Sequence, residues 1–264
     1  MAEMIRVGVF GAGGRMGATV CQAVVDDPAL ELVAAVDPHH AGLDLRSVAG
    51  VGGELQVASV ADELVRQEVQ VAVDFTRIEA ARENLAFLAR NGIHAVVGTS
   101  GFTSADYDEF AGRFTESNCV IAPNFAIGAV LMARFAELAA PFFETAEIIE
   151  LHHDQKIDAP SGTAMHTAER MAAASDQWAP DPTTSEMLAG SRGGKGPAGI
   201  PVHSVRLRGI VAHQEVLLGT TGQTLTIRHD SYDRSSFMPG VMLAVKQVAD
   251  LPGLTVGLDA VLGV

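Results

Sequence analysis

Short apolar runs alternate with longer amphipathic runs through the first half of the chain. Ile5–Phe10 (IRVGVF) is almost wholly apolar and stops at glycines, the profile of a strand buried on both faces of a parallel sheet. Met16–Asp27 follows with Val20, Ala23 and Val24 spaced for one helical face. Leu32–Val36 reads as a second strand ending at Asp37-Pro38, and Val71–Phe75 as a third. A helix is predicted over Ile78–Asn91, stopped by Gly92, and then a strand at Ala95–Val97 that runs into Gly98-Thr99-Ser100-Gly101. Helix Ser104–Glu116 and strand Cys119–Ala122 complete the series. Alternation of this kind implies a parallel sheet with right-handed crossovers and helices on both faces.

The pattern changes after Pro123. A long helical run, Ile127–Phe143, precedes a strand-like run, Ala146–His152, and a helix from Gly162 to about Ala174. Pro180–Pro201 is rich in Pro, Gly and Ser and reads as loop. Three strand-like runs follow, His203–Leu207, Glu215–Leu218 and Thr224–His229, joined by Gly-rich turns with no helix between them. That is the pattern of an antiparallel or mixed sheet. A last helix is expected over Val241–Asp250, in a tail that returns to the first domain. The fold class expected is α/β: an N-terminal Rossmann-type doubly wound parallel sheet plus a smaller α+β domain with an open mixed sheet. The boundaries expected are residues 1–123 with 234–264 for the first domain and 124–233 for the second.

Composition narrows the function. Of 264 residues 48% are apolar and 19% charged, which excludes a disordered chain. Lys and Arg total 18 against 32 Asp and Glu, a net charge of −14 that argues against general nucleic-acid binding. A local basic pocket for a small anion stays compatible with it. Two cysteines, Cys21 and Cys119, make one disulfide arithmetically possible but no disulfide framework, and reduced thiols in a cytoplasmic protein are expected. Met1–Val20 does not read as a secretory leader, because Gly11, Gly13, Gly14 and Arg15 break its apolar run. No membrane role is expected either: no stretch approaches the ~20 apolar residues of a span.

Gly11-Ala12-Gly13-Gly14-Arg15-Met16-Gly17 fits G-x-G-x-x-G between a predicted strand and a predicted helix. Gly11 suits the tight turn, Gly13 lets backbone amides approach a pyrophosphate, and Gly17 lets the helix pack closely. The helix N-terminus and Arg15 both favour the anion. Asp37, at the end of the second strand, suits the adenosine ribose hydroxyls. An acid there repels a 2′-phosphate and leans the chain towards NADH. Pro38, His39 and His40 follow with no Arg or Lys, and His39 or Arg15 are the groups that would tolerate NADPH, so the cofactor expected is NADH and/or NADPH. Asp74-Phe75-Thr76, Gly98-Thr99-Ser100 and Ala122-Pro123-Asn124-Phe125 end predicted parallel strands, where ligands of such sheets bind, and are candidates to line the nicotinamide ribose and ring.

The densest polar segment is Glu150–Ala164 (ELHHDQKIDAPSGTA). A metal site built on His152, His153 and Asp154 is disfavoured, because adjacent side chains on a strand point to opposite faces and no Cys or spaced His completes the set. Acid–base chemistry fits better: His titrates near neutrality and Lys156 supplies charge or a proton. Pro160-Ser161-Gly162-Thr163 has the composition of a helix start, whose amides at Gly162 and Thr163 suit a carboxylate.

GAGGRMG at Gly11–Gly17, DFT at Asp74–Thr76, GTSG at Gly98–Gly101, APNF at Ala122–Phe125 and above all ELHHDQKIDAPSGTA together resemble the dihydrodipicolinate (4-hydroxy-tetrahydrodipicolinate) reductase family of lysine and diaminopimelate synthesis. His229 and Arg234–Gly240 match its C-terminal block, so the resemblance spans nearly the whole chain. The resemblance implies that His152 is the general acid/base, that His153 contacts substrate, and that Lys156 donates a proton and pairs with a carboxylate. It further implies that Ser161, Gly162 and Thr163 bind a substrate carboxylate, with Arg234 adding to anion binding. Gly11, Ala12, Gly13, Gly14, Arg15, Met16, Asp37, Gly98, Thr99, Ser100, Ala122, Pro123, Asn124 and Phe125 would hold the nicotinamide cofactor. A small dicarboxylate substrate and a homotetramer assembled through the open sheet of the second domain are also implied. With cofactor and substrate on different domains, closure around a hinge near Asn124 and Asp233 is expected. Where family members often carry Arg after the ribose acid, this chain has Pro38. Gln177–Pro201, with Trp178, Arg192 and Lys195, reads as a cover loop or as plain surface loop. Two rival functions are another two-domain NAD-dependent dehydrogenase, which would lack the HHxxKxDAPSGTA segment, and a catalytically silent cofactor sensor, which would lack His152 or Lys156.

Overall fold

The computed structural model describes residues 4–51 and 53–264. Met1–Glu3, the start of the stretch read for a leader, and Gly52 lie outside the described residues. The chain forms two compact units: one runs to Phe125 and resumes at Phe237–Val264, and the other is Ala126–Ser236.

The first unit opens with β1 (Ile5–Phe10), α1 (Arg15–Asp26) and β2 (Leu30–Val36). Two single-turn-scale helices, α2 (Leu45–Ala49) and α3 (Asp62–Arg66), lie in the segment leading to β3 (Val71–Asp74). Then come α4 (Ile78–Arg90), β4 (His94–Val97), α5 (Ser104–Arg113) and β5 (Cys119–Ile121). These strands pair in parallel in the order β5-β4-β3-β1-β2. All four residues of β3 are buried, as expected for a strand with helices on both faces. Phe10, Val36, Leu85, Leu88, Phe110 and Phe114 belong to one core on this sheet. α5 starts on a capping box between Thr103 and Asp106. It ends at Arg113, short of the expected Glu116, because Phe114 leaves the helix and is buried in that core. Cys21 and Cys119 are free and buried, and burial pushes the Cys21 thiol up to about 12.

The second unit begins with α6 (Ile127–Ala139), which stops before the expected Phe143 because Pro141 lies in a 3-10 turn over Ala140–Phe142. β6 (Thr145–His152), α7 (Gly162–Ala174), β7 (Gly194–Lys195), β8 (Pro201–Arg206), β9 (Ala212–Thr220) and β10 (Gln223–Ser231) follow. Their sheet runs β10-β9-β6-β8-β7, with β6 and β8 parallel and the other pairs antiparallel, a mixed sheet. β9 and β10 are longer than the apolar runs suggested, since Thr221-Gly222 joins them as a two-residue hairpin with Gly222 at φ +79°. Ala146, Ile148 and Glu150 of β6 face inward under α6 and α7, while Glu147, Ile149 and Leu151 face the other side. Trp178 packs against this core.

The tail returns to the first unit. α8 (Met238–Gln247) starts three residues earlier than expected, with Pro239 in its first turn. Gly240 lies so close to the Phe125 carbonyl that a Cβ would sit 2.1 Å from its oxygen. β11 (Leu254–Val256), not foreseen from the sequence, adds to β5 in parallel and completes six strands among the described residues, and α9 (Asp259–Leu262) closes the chain.

Candidate active site

The glycine loop joins β1 to α1. Gly11 has φ +65°, its N–H donates to Val36 O at 2.7 Å, and Gly14 N–H donates to Gly11 O at 2.9 Å. A Cβ on Gly17 would stand 2.0 Å from Gly11 O, so only glycine lets the helix sit this close to the turn. The N-cap of α1 is Gly14, which makes no side-chain cap, and the first turn holds no acidic residue. Those amide donors and the helix dipole therefore suit an anion, and exposed Arg15 stands at the first helical position. Ala12 is buried and Met16 half-buried, so Ala12 meets a ligand only through its backbone. Asp37 is 6% exposed and accepts from Gly13 N–H and His39 N–H, both at 3.0 Å, one bond per oxygen. Each oxygen keeps lone-pair capacity for a ribose hydroxyl. The donor set fits the pyrophosphate and ribose of a dinucleotide.

The strand-end loops beside it are tied together by Asp74, which the sequence reading named only as part of its loop. Its fully buried carboxylate accepts from Thr76 N–H at 2.8 Å, Thr76 Oγ1 at 2.7 Å, Asn84 Nδ2 at 2.7 Å and Thr99 Oγ1 at 3.1 Å. The Thr76 and Thr99 hydroxyls thus hold the loops in place. The Phe75 ring lies across Gly98, where a Cβ would fall 2.0 Å from it, and 5.8 Å from the Phe125 ring. Ala122 and Phe125 are buried, Asn124 is half-buried, and Ser100 and Pro123 are exposed.

In the second unit, β6 presents a buried carboxylate to the polar segment. Glu150 has no exposure. His152 Nδ1 lies 2.5 Å from Glu150 Oε2. Arg206 of β8 approaches the same carboxylate through two nitrogens, Nη1 to Oε2 and Nη2 to Oε1, both at 2.9 Å. Ser161 N–H donates to Glu150 Oε1 at 3.2 Å. Arg206 also donates to the carbonyls of Lys156 (3.2 Å) and Asp158 (2.7 Å), so one guanidinium fixes both the carboxylate and the loop that carries Lys156. Burial is the largest influence on Glu150 and pushes its carboxyl up, but hydrogen bonds from Arg206, Ser204 and His152 hold it below the usual value. An ionised Glu150 leaves Nδ1 of His152 as the donor, so Nε2 is the nitrogen open to a ligand. Burial lowers the His152 imidazole, against the upward pull of Glu150.

Lys156 Nζ donates to both oxygens of Asp158 at 2.7 Å. His153 N–H donates to Val211 O at 3.3 Å, and its Nδ1 accepts from Gln155 N–H, so Nε2 carries the proton of the neutral ring. Ser161 is the N-cap of α7 and its Oγ accepts from Ala164 N–H at 3.2 Å. Gly162 is exposed, with open space where a Cβ would stand, and no acidic residue lies in the first turn. The structure therefore brings His152, Lys156, Ser161 and the start of α7 into one network. Arg234 stands exposed on a 3-10 turn, Arg234–Phe237, outside the hydrogen bonds of that network. Arg192 pairs with Glu147 at 2.5 Å and Asp181 at 3.2 Å within the second unit. Sequence reasoning missed Arg206: an Arg ending a strand-like run carries no signal of a partner 56 residues away. Among the described residues no group of three or more His, Cys, Asp or Glu could hold a metal ion, and no helix is long and apolar enough to cross a membrane.

Comparison with known proteins covers both units. The family profile described as dihydrodipicolinate reductase, N-terminus, matches residues 5–125, and that described as dihydrodipicolinate reductase, C-terminus, matches residues 128–262. The chain is 49% identical to a 4-hydroxy-tetrahydrodipicolinate reductase of Corynebacterium urealyticum, over 98% of this chain and 99% of that one. It is 50% identical to the like-named protein of Mycobacterium marinum, over 98% and 99%. Among solved structures, a dipicolinate-bound dihydrodipicolinate reductase from Paenisporosarcina sp. TG-14 superposes with a TM-score of 0.86 at 41% identity, covering 97% of this chain and 99% of that one. An amine dehydrogenase from Mycobacterium smegmatis, 15% identical with a TM-score of 0.66 over 96% and 95%, shares the fold alone.

Proposed function

The chain belongs to the dihydrodipicolinate reductase family and its activity is that family's reduction, and from that premise we propose how its own residues bind and protonate the substrate. The substrate is 4-hydroxy-tetrahydrodipicolinate, a cyclic dicarboxylate, reduced to tetrahydrodipicolinate in lysine and diaminopimelate synthesis. The cofactor is a pyridine nucleotide, which supplies the hydride. Gly11 to Met16 and Asp37 hold its pyrophosphate and adenosine ribose. The Phe75-Thr76, Gly98–Ser100 and Ala122–Phe125 loops line its other half. The carboxylate of Asp37 favours NADH, with NADPH also used.

The observation that carries the substrate site is the Glu150–His152 contact of 2.5 Å on β6, beside Lys156 and the start of α7. One substrate carboxylate displaces Asp158 from Lys156 Nζ. The other takes the amides of Gly162 and Thr163 at the positive end of α7. His153 adds Nε2–H, and Arg234 contributes long-range positive charge. The 4-hydroxyl leaves as water, giving the conjugated dihydro ring; hydride addition to its electron-poor ring carbon then moves an electron pair to the neighbouring atom, which must take a proton. Lys156 is the proton source nearest the carboxylate. His152 takes and returns a proton through Nε2, and a dianionic substrate beside it raises its proton affinity, as an acid needs. Glu150 keeps its orientation fixed, so little reorganisation is required during the step.

Assembly as a homotetramer in the cytoplasm completes the reading. Half-buried Ile149, Leu151, Val205 and Leu217 on the helix-free face of the second sheet support it. The test of the site is a pair of variants, His152→Ala and Lys156→Ala. Each should lose roughly 10²–10⁴-fold in turnover, the range for a positioned acid or base, with cofactor affinity unchanged. Loss of cofactor affinity in both would contradict the assignment of these residues to substrate.

A further inference from the structure

Ser161 N–H ties the N-cap of α7 to Glu150 of β6, and further along the helix Thr167 ties it to β9. Thr167 is fully buried, and its Oγ1 donates to the Thr163 carbonyl at 2.8 Å. With its one proton engaged there, that hydroxyl can only accept from Gln214 of β9, whose Nε2 donates to it at 2.9 Å. The Thr163 carbonyl shares its peptide with the Ala164 N–H, which donates to Ser161 Oγ at 3.2 Å. A continuous line of donors thus runs from the sheet to the N-cap of α7, each bond polarising the next. Gln214 is 4% exposed and lies in register between Glu150 of β6 and His229 of β10. Val216, the next inward position on β9, and Ala164, Ala168 and Met171 on α7 are apolar core. Gln214 Oε1 is buried with no hydrogen-bond partner among the described residues. A methionine would fill the site without that stranded acceptor, so stability does not account for a glutamine here.

We propose that Gln214 is a positioning residue for the substrate: from inside the core it fixes the first turn of α7 so that the Gly162 and Thr163 amides stand where a substrate carboxylate needs them. The inference rests on the reading that those amides take that carboxylate. Apolar contacts between α7 and the sheet are non-directional and leave a helix free to slide or turn slightly. Hydrogen bonds are directional and weaken steeply when misaligned. The bond at Ser161 fixes one point of the helix and the line from Gln214 fixes a second. Two points set the direction in which the first-turn amides aim. Gly162 cannot hold the turn itself, since open space stands where a side chain would pack. A carboxylate bound there carries the same charge before and after hydride transfer. A displaced helix start therefore weakens ground state and transition state alike, which raises KM and leaves kcat in place.

The test is steady-state kinetics on the whole chain, with KM read separately for the dicarboxylate substrate and for NADH. Gln214→Met should raise the substrate KM roughly three- to tenfold, the scale of one hydrogen bond, with kcat and the KM for NADH changed by about twofold or less. Its melting temperature should equal or exceed that of the unaltered chain, because the stranded acceptor goes with the amide. Thr167→Val should raise the same KM, and the double variant should do no more than either single one, since both break one line. Thr167→Ser keeps the hydroxyl and should keep the KM. A joint fall in kcat, NADH affinity and melting temperature would overturn the proposal, because Gln214 would then only support the fold. An unchanged substrate KM in Gln214→Met, or additive effects in the double variant, would overturn it too. Gly162→Pro separates the proposal from the reading beneath it. Proline suits a first helical position, Ser161 before it is already extended at φ −66° and ψ 149°, and the site has room, so the amide donor alone is lost. A raised substrate KM in Gly162→Pro with none in Gln214→Met would sink the proposal alone. An unchanged KM in Gly162→Pro would sink the carboxylate reading, and the proposal with it.

Discussion

Replacing Arg206 with Met tests whether one guanidinium holds the active loop together. The Glu150 carboxylate has no exposed surface, and the Arg206 side chain is 21% exposed. Met keeps most of the aliphatic volume but removes both bonds to Glu150 and both to the Lys156 and Asp158 carbonyls. Stranding one partner of a buried ion pair costs about 3–5 kcal/mol. The two carbonyls lie on an exposed loop that water re-solvates, so they add about 1 kcal/mol or less. With a urea slope of about 2 kcal/mol per M, the unfolding midpoint of the second unit should drop by roughly 1.5–3 M. The chain has one tryptophan, Trp178, and it packs against the core of that unit, so its fluorescence follows the right transition. Glu150→Gln combined with Arg206→Met should cost less than the sum of the two, because no buried charge is then left unpaired. A midpoint for Arg206→Met within about 0.3 M of the unaltered chain, at this slope, would refute the reasoning.

Burial holds the imidazoles of His94, His152 and His229 below the ordinary histidine value of 6.5. Below that pH the unfolded chain binds more protons than the folded one, so stability is full above about 6.5 and falls as pH drops towards the lower folded values. Urea midpoints at pH 7.5 and 5.5 should show that decline, and a flat profile would contradict it. Gly17→Ala places a Cβ 2.0 Å from Gly11 O, a backbone atom that cannot move aside cheaply. It should lower the melting temperature and abolish nucleotide binding together, measured by differential scanning calorimetry and by quenching of bound NADH fluorescence. Normal binding would mean the loop has slack the geometry denies.

The first unit was legible because each parallel strand is a short apolar run with a glycine or an acid at its end. β1, β3 and β4 need no partner information to be seen, and the glycine loop declares itself between β1 and α1. β11 was not legible: three residues between Gly253 and Gly257 are too few to show a period, and only the edge of β5 makes them a strand. The start of α8 was hidden because Met238-Pro239-Gly240 looks like a turn. Pro is tolerated in a first helical turn, and Gly240 is there for contact with Phe125. In the second unit His152, Lys156 and Ser161 sit within ten residues of one another, so the sequence displays them. Arg206 acts through space, and a lone Arg reads as solvated surface. Thr76 and Thr99, named for the ligand, turn out to bind Asp74, a pairing across two loops that spacing does not reveal.

The most direct measurement is the oxidation of NADH and NADPH, followed at 340 nm, with freshly formed condensation product of pyruvate and aspartate semialdehyde. The account predicts oxidation that depends on that product, faster with NADH, and lost in His152→Ala and Lys156→Ala. No product-dependent oxidation with either cofactor, in a chain that binds NADH normally, would contradict it.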